Sequence, residues 1–266
     1  MKTKIISIAF IIAFIIAACR TVPLTNRSQL NLISSSELLS MSYSQYDDFL
    51  KQNKLSSNRT QTQLVKKVGR RIQKAVEKFM RQNNLQNELK GYRWEFNLVR
   101  SKEANAWCMP GGKVVVYEGI LPYTKTETGL AVVLGHEIAH AIAEHGAERM
   151  SQGLLRSLGG VALTIALKDE PSETKALWLT AYGLGTEVGV MLPYSRSHES
   201  EADHLGLIFM AMAGYNPREA PIFWQRFSRQ GGSAPPEFLS THPSNETRIK
   251  QLKEWTPEAL KYYKGK

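Results

Sequence analysis

Residues 136–140 read His-Glu-Ile-Ala-His, and no other stretch restricts the chain so tightly. On a helix, positions i and i+4 share one face, about one turn apart. His136 and His140 can therefore reach one ion together, each at roughly 2.0–2.1 Å for zinc. Glu137 stands beside that face, where its carboxylate can take a proton from an attacking water. Such a set is suited to hydrolysing a peptide bond. H-E-x-x-H also arises by chance on soluble helices, so its surroundings decide. Leu130-Ala131-Val132-Val133-Leu134 is wholly apolar, which predicts a buried helix. Buried imidazoles and a buried carboxylate need partners, and a metal supplies them together. The pattern predicts a helix from Thr126 or Glu127 to about Met150, with Glu127 in its first turn and Arg149 in its last.

A catalytic zinc takes three protein ligands and keeps one position open. A continuation of the type H-x-x-G-x-x-H is excluded, because Ala143 and Gly146 hold the positions it needs. Glu144 would approach the ion poorly along one straight helix. His145 lies about 140° round the helix from His140 and reads as structural or exposed. The better source is Ser195 to Gly206, the start of a second helix running to about Ala213. Glu199 and Asp203 are again i and i+4. One carboxylate can bind the metal while the other holds a ligand histidine by its second ring nitrogen. Glu201, about 200° from Glu199, competes for the ligand role. A merely acidic helix start is the plainer alternative.

With both helices placed, the chain resembles the zinc metallopeptidase family that includes the heat-shock protease HtpX and the CAAX prenyl protease. It resembles most the soluble, periplasmic BepA-type members of that family. The resemblance covers about Thr25 to Leu252 and rests on four separated motifs. These are Asn105-Ala106 with Pro110-Gly111-Gly112, then His136 to His140, then Glu199 to Asp203, then Thr241-His242-Pro243. It implies an α+β fold, mainly α: a gluzincin-type domain with a small sheet or hairpin beside the active-site helix. It implies one Zn²⁺ on His136, His140 and Glu199, with Glu137 as general base and Asp203 supporting a ligand histidine. It also implies that His242 can approach the metal, either filling the open position in a resting state or stabilising the oxyanion. Arg248 and Tyr194 are weaker oxyanion candidates. The hairpin carrying Asn105, Gly111 and Gly112 would offer an edge strand to extended polypeptide substrates.

Residues 1–18 read as a lipoprotein signal peptide: Lys2 and Lys4, then apolar Ile5 to Ile16, then Ala17-Ala18-Cys19. Lipidation of Cys19 would tether the chain to a membrane through residues 19–31, ahead of a metallopeptidase domain at 32–266. The expected place is the cell envelope, with the outer membrane facing the periplasm favoured over the inner one. A plain secretory signal or an uncleaved anchor helix are the alternatives. Of two cysteines, Cys108 then has no partner for a disulfide and reads as a small buried hydrophobe. The net charge of +10 is scattered along the sequence. Behind an export signal it points to an anionic membrane surface or acidic substrates, not to nucleic acid.

Elsewhere the periodicity predicts helices over Ser35–Lys51 and Thr60–Gln82, the second with a core stripe from Leu64 to Phe79. Strands follow at Trp94–Leu98, Ala104–Cys108 and Lys113–Glu118, the last two joined by Pro110-Gly111-Gly112. Two apolar segments between Ser151 and Pro193 predict a helical hairpin. Packing on the catalytic core is its plain reading; dipping into a membrane or gating substrate is the sharper one. Short helices are expected at Arg218–Arg229 and Asn245–Glu254, separated by a glycine- and proline-rich loop at 230–237.

Overall fold

The computed structural model describes residues 19–22, 25–168, 170, 172–187, 191–229, 237–243 and 246–265, with backbone alone at 19, 20, 173, 193 and 194. The signal segment 1–18, most of the loop at 230–237 and the Tyr194 side chain lie outside the described residues. In chain order the first elements are β1 (Cys19–Thr21), β2 (Ser28–Leu30), α1 (Ser35–Gln52) and α2 (Arg59–Gln82). β3 (Glu95–Val99), β4 (Ala106–Met109), β5 (Lys113–Tyr117), α3 (Leu121–Thr124) and α4 (Glu127–Ile142) follow. The remainder is α5 (His145–Ala166), α6 (Ser172–Thr186), α7 (Leu192–Met212), α8 (Glu219–Ser228), α9 (Glu237–Thr241) and α10 (Glu246–Leu260). The fold is α+β and mainly α, as the resemblance implied.

The chain divides into two compact units. The larger comprises Ser35–Ala143 and Glu199–Lys266. Its three-stranded sheet has the order β3-β5-β4, with β3 and β5 parallel and β4 antiparallel at the edge. The expected hairpin is therefore present, and its turn is built by Gly111 and Gly112 at φ +84° and +80°. Only glycine takes such angles freely, and a Cβ at Gly112 would sit 2.5 Å from the Trp94 ring. α2 buries Val65, Val68, Ile72, Val76 and Phe79 along one stripe. α4 is buried from Gly129 to Ile142, all round. That explains why its apolar run shows no polar face: it is the central helix, packed on α2, β4 and α8.

α4 is shorter than the sequence suggested. It ends at Ile142, and a new helix starts at His145, because Glu144 adopts the left-handed conformation (φ 53°). No glycine marks this break, and the apolar spacing continues across it. At the other end Thr126 caps the helix, its Oγ1 accepting from the Gly129 N–H at 3.0 Å. α10 also departs from expectation, continuing six residues beyond Glu254 with Pro257 inside it.

α4 and α7 cross where two glycines meet. A Cβ on Gly135 would lie 2.9 Å from the Gly206 carbonyl oxygen, and one on Gly206 would lie 2.9 Å from the His136 nitrogen. Two backbones thus touch one residue before the first motif histidine. We expect Gly206→Ala to force the helices apart, lowering stability by about 1–3 kcal/mol and weakening metal binding more than Gly183→Ala, where nothing lies near. Thermal unfolding with and without zinc measures both effects.

The smaller unit comprises the described residues up to Ser34 together with those of Glu144–His198. The segment expected to be a tether contains the antiparallel pair β1–β2, with Cys19 opposite Leu30. β2 packs on α5. Arg27 donates to Glu148 at 2.8 and 2.9 Å, and the Leu32 N–H donates to Ser151 Oγ at 3.0 Å. His145 is fully buried, stacked on His198 at 4.2 Å, while His198 Nε2 lies 2.8 Å from Glu148. Its role is structural. α5 and α6 form the expected helical hairpin.

Candidate metal centre

Every side chain of the centre belongs to the larger unit. α4 supplies His136 and His140, whose Nε2 atoms lie 3.1 Å apart. α7 supplies Glu199, with its carboxylate oxygens 3.4 Å from His136 Nε2 and 3.3 Å from His140 Nε2. His242 follows α9 and places Nδ1 3.1 Å from His136 Nε2 and 3.0 Å from both Glu199 oxygens. Four ligand atoms on the corners of a tetrahedron of radius 2.0–2.1 Å would be about 3.3–3.4 Å apart. The observed spacings are near that, so this donor set fits one zinc ion. Glu201 is buried but is not among the converging groups. The spacing argument that left Glu199 and Glu201 in competition is thus decided by how α7 is rotated against α4 at the glycine crossing.

The supporting shell is as specific. His136 Nδ1 lies 2.9 Å from Asp203 Oδ1, so it donates there and leaves the Nε2 lone pair facing the cluster. Asp203 is itself held by Arg248, whose Nη2 and Nε lie 2.7 and 2.6 Å from its two oxygens. The Arg248 guanidinium lies over the Trp224 ring at 3.4 Å and donates to the carbonyls of His242 and Pro243. It also approaches Glu199 at 3.4 Å. One buried cation thus connects the Asp203 carboxylate, the Glu199 carboxylate and the backbone that presents His242. Sequence reasoning weighed Arg248 only as an oxyanion candidate. The available signal was the need for a cation beside two buried carboxylates.

The electrostatics follow from burial and these partners. Burial opposes ionisation of Glu199, but hydrogen bonds from His136, His140 and His242 overcome it and hold the carboxyl far below its usual range. Burial likewise opposes ionisation of Asp203, and Arg248 with His136 outweighs it. Burial drives His140 down to about 3, which keeps its lone pair free. Glu137 is buried with one oxygen 3.4 Å from His242 Nε2. Burial, reinforced by Glu137, pushes the nearby Cys108 thiol well above its ordinary value. The thiol is thus kept protonated, but Cys108 is only half-buried, less enclosed than the buried hydrophobe expected from the sequence.

The β4 edge lies beside α4. Asn105 spends its side chain locally: Nδ2 donates to Glu103, and Oδ1 accepts from the Ala106 N–H. It braces the start of the strand. The Ala104 carbonyl accepts from the Phe238 N–H at 3.0 Å, which connects that strand start to the helix before His242.

Two imidazoles one turn apart, a carboxylate from a second helix and a glutamate beside them define a zinc metallopeptidase core of the gluzincin type. The chain belongs to peptidase family M48, whose family model matches residues 66–256. It is 40% identical over 169 residues to the mitochondrial metalloendopeptidase OMA1 of Schizosaccharomyces pombe, covering 63% of this chain and 48% of that protein. To the OMA1 of Saccharomyces cerevisiae it is 32% identical over 250 residues, covering 91% of this chain and 70% of that one. It is also 32% identical over 165 residues to the beta-barrel assembly-enhancing protease of Escherichia coli, covering 59% and 33%. The chain thus spans about half of the fission-yeast relative and a third of the bacterial one.

Proposed function

We propose that this protein is a zinc-dependent endopeptidase of the bacterial cell envelope that degrades or processes misfolded or stalled envelope proteins. The convergence of His136, His140 and Glu199 beside Glu137 carries the catalytic part of this reading. The Ala17-Ala18-Cys19 sequence after an apolar run supports the envelope part, with residues 1–18 as signal peptide, Cys19 lipidated and the domain at 32–266 held at a membrane. The bacterial relative named for β-barrel assembly is consistent with the outer membrane; the mitochondrial relatives share the domain in another compartment.

His136, His140 and Glu199 would hold zinc, which would supply a Lewis acid for the scissile carbonyl and make the attacking water more acidic. Glu137 accepts the proton from that water and passes it to the leaving amine. Asp203 fixes the His136 tautomer and ring, and Arg248 fixes Asp203. The edge of β4, with the Gly111-Gly112 turn, binds extended polypeptide through main-chain hydrogen bonds and so accepts varied sequences. His242 Nδ1 lies against Glu199 and His136, where it would complete the donor set, and it would have to move away to admit substrate. His242→Ala should therefore retain zinc and raise the initial rate of peptide cleavage; a fall in rate would assign His242 to the oxyanion instead.

The test is purification of the full chain without chelators, with zinc content and cleavage of unfolded casein measured together. About one zinc per chain and cleavage lost on chelation, restored by zinc, are expected. Bound zinc with no cleavage by wild type or His242→Ala would make the chain a binding lipoprotein.

A further inference from the structure

The smaller unit carries an apolar surface that the catalytic centre does not use. On α5, Leu154, Leu158, Val161 and Ile165 are exposed at the spacing of a single helix face, Ile165 to 65%. On α6, Leu177, Trp178 and Leu184 are exposed, Leu177 to 70%. The sequence has no charged residue from 157 to 167 or from 176 to 186. The charges lie at the base and at the tip, where Lys168 and Glu170 are exposed. The hairpin's two arms are tied to each other by polar groups: Arg156 pairs with Glu187 at 2.7 Å, and the Tyr182 hydroxyl donates to the Arg156 carbonyl. Its shape is therefore fixed without covering the apolar faces.

We propose that the α5–α6 hairpin lies in the interface of a lipid bilayer. The occupant follows from the sequence that leads into this unit. Ile5 to Ile16, almost wholly apolar, lead into β1 at Cys19, β1 pairs with β2, and β2 packs on α5. A membrane-seeking segment thus enters the same compact unit as the exposed hairpin. Tethering raises the effective concentration of a bilayer near the hairpin, so that a weak interfacial affinity becomes occupancy. Exposed Leu, Ile and Val with one Trp suit the boundary between headgroups and acyl chains. No helix among the described residues is long and apolar enough to cross a membrane. Tip-first insertion would place Lys168 and Glu170 in hydrocarbon, so the hairpin lies along the surface. This inference rests on the reading of the N-terminal segment as a membrane anchor.

The experiment uses the full chain on vesicles of phosphatidylethanolamine and phosphatidylglycerol. An environment-sensitive fluorophore is attached at Leu158→Cys, Leu177→Cys or, as a control on α2, Lys74→Cys. Probes at 158 and 177 should shift to the blue and be quenched by lipid-borne nitroxides, while the probe at 74 does neither. The surface variant Leu158→Glu/Leu177→Glu/Leu184→Glu should keep its zinc content and circular dichroism but bind vesicles about tenfold less tightly or weaker. Flotation with the vesicles while both hairpin probes stay in water overturns the hairpin proposal and leaves the anchor standing. No flotation overturns both. Probes already buried without lipid, in a dimer that the triple variant dissociates, assign the surface to a second copy and overturn the proposal.

Discussion

Glu137→Gln should abolish proteolysis while leaving zinc content and thermal stability close to wild type. The amide keeps the shape and volume of the carboxylate but cannot accept the proton of the attacking water. General-base catalysis contributes about 10²–10⁴-fold, and the same group also delivers the proton to the leaving amine, so a loss at the upper end is expected. Zinc is retained because Glu137 is not among the four converging donors. Quantitative cleavage of an unfolded substrate, with metal analysis of the same sample, gives the answer. Full activity in the variant would remove Glu137 from its assigned role.

Arg248→Leu should be among the most destabilising single substitutions in the larger unit. Arg248 is 5% exposed, and it is the cation beside a buried Asp203 and near Glu199. Removing one partner of a buried ion pair costs about 3–5 kcal/mol, because the other charge stays buried without compensation. Bound zinc offsets part of this by neutralising Glu199, so the loss is expected to be larger in metal-free protein. The pH dependence has a definite sign. Asp203 is depressed below its ordinary value of 3.8. A depressed carboxyl stabilises the fold above its unfolded pKa, and that stability is lost as pH falls through the folded one. The difference between wild type and variant should therefore narrow in acid. Denaturant unfolding at pH 7 with and without zinc, and of the metal-free protein at pH 7 and pH 3, on either side of 3.8, measures it. An equal loss in every condition would show that Arg248 acts through packing on Trp224 alone.

The parts of this molecule that were legible in the sequence are those fixed by local chemistry. The i, i+4 spacing of His136 and His140 placed both imidazoles on one face, and α4 puts them there. The Gly111-Gly112 turn and the α2 stripe needed nothing beyond backbone angles and periodicity. Long-range packing was harder to read. Glu199 and Glu201 could not be separated by spacing, because the rotation of α7 depends on Gly206 meeting Gly135 in another helix. The break at Glu144 carried no glycine signal. The Arg248–Asp203 pair joins side chains 45 positions apart, and nothing in either local sequence names the other.

The smaller unit's second segment, Glu144–His198, is inserted between His140 and Glu199, which still approach to 3.3 Å. To the catalytic core this excursion is a single long loop whose closure has already been met. Closure entropy grows only logarithmically, about 0.6 kcal/mol for each doubling of length. Evolution can therefore lengthen, trim or exchange that loop without redrawing the ligand sphere.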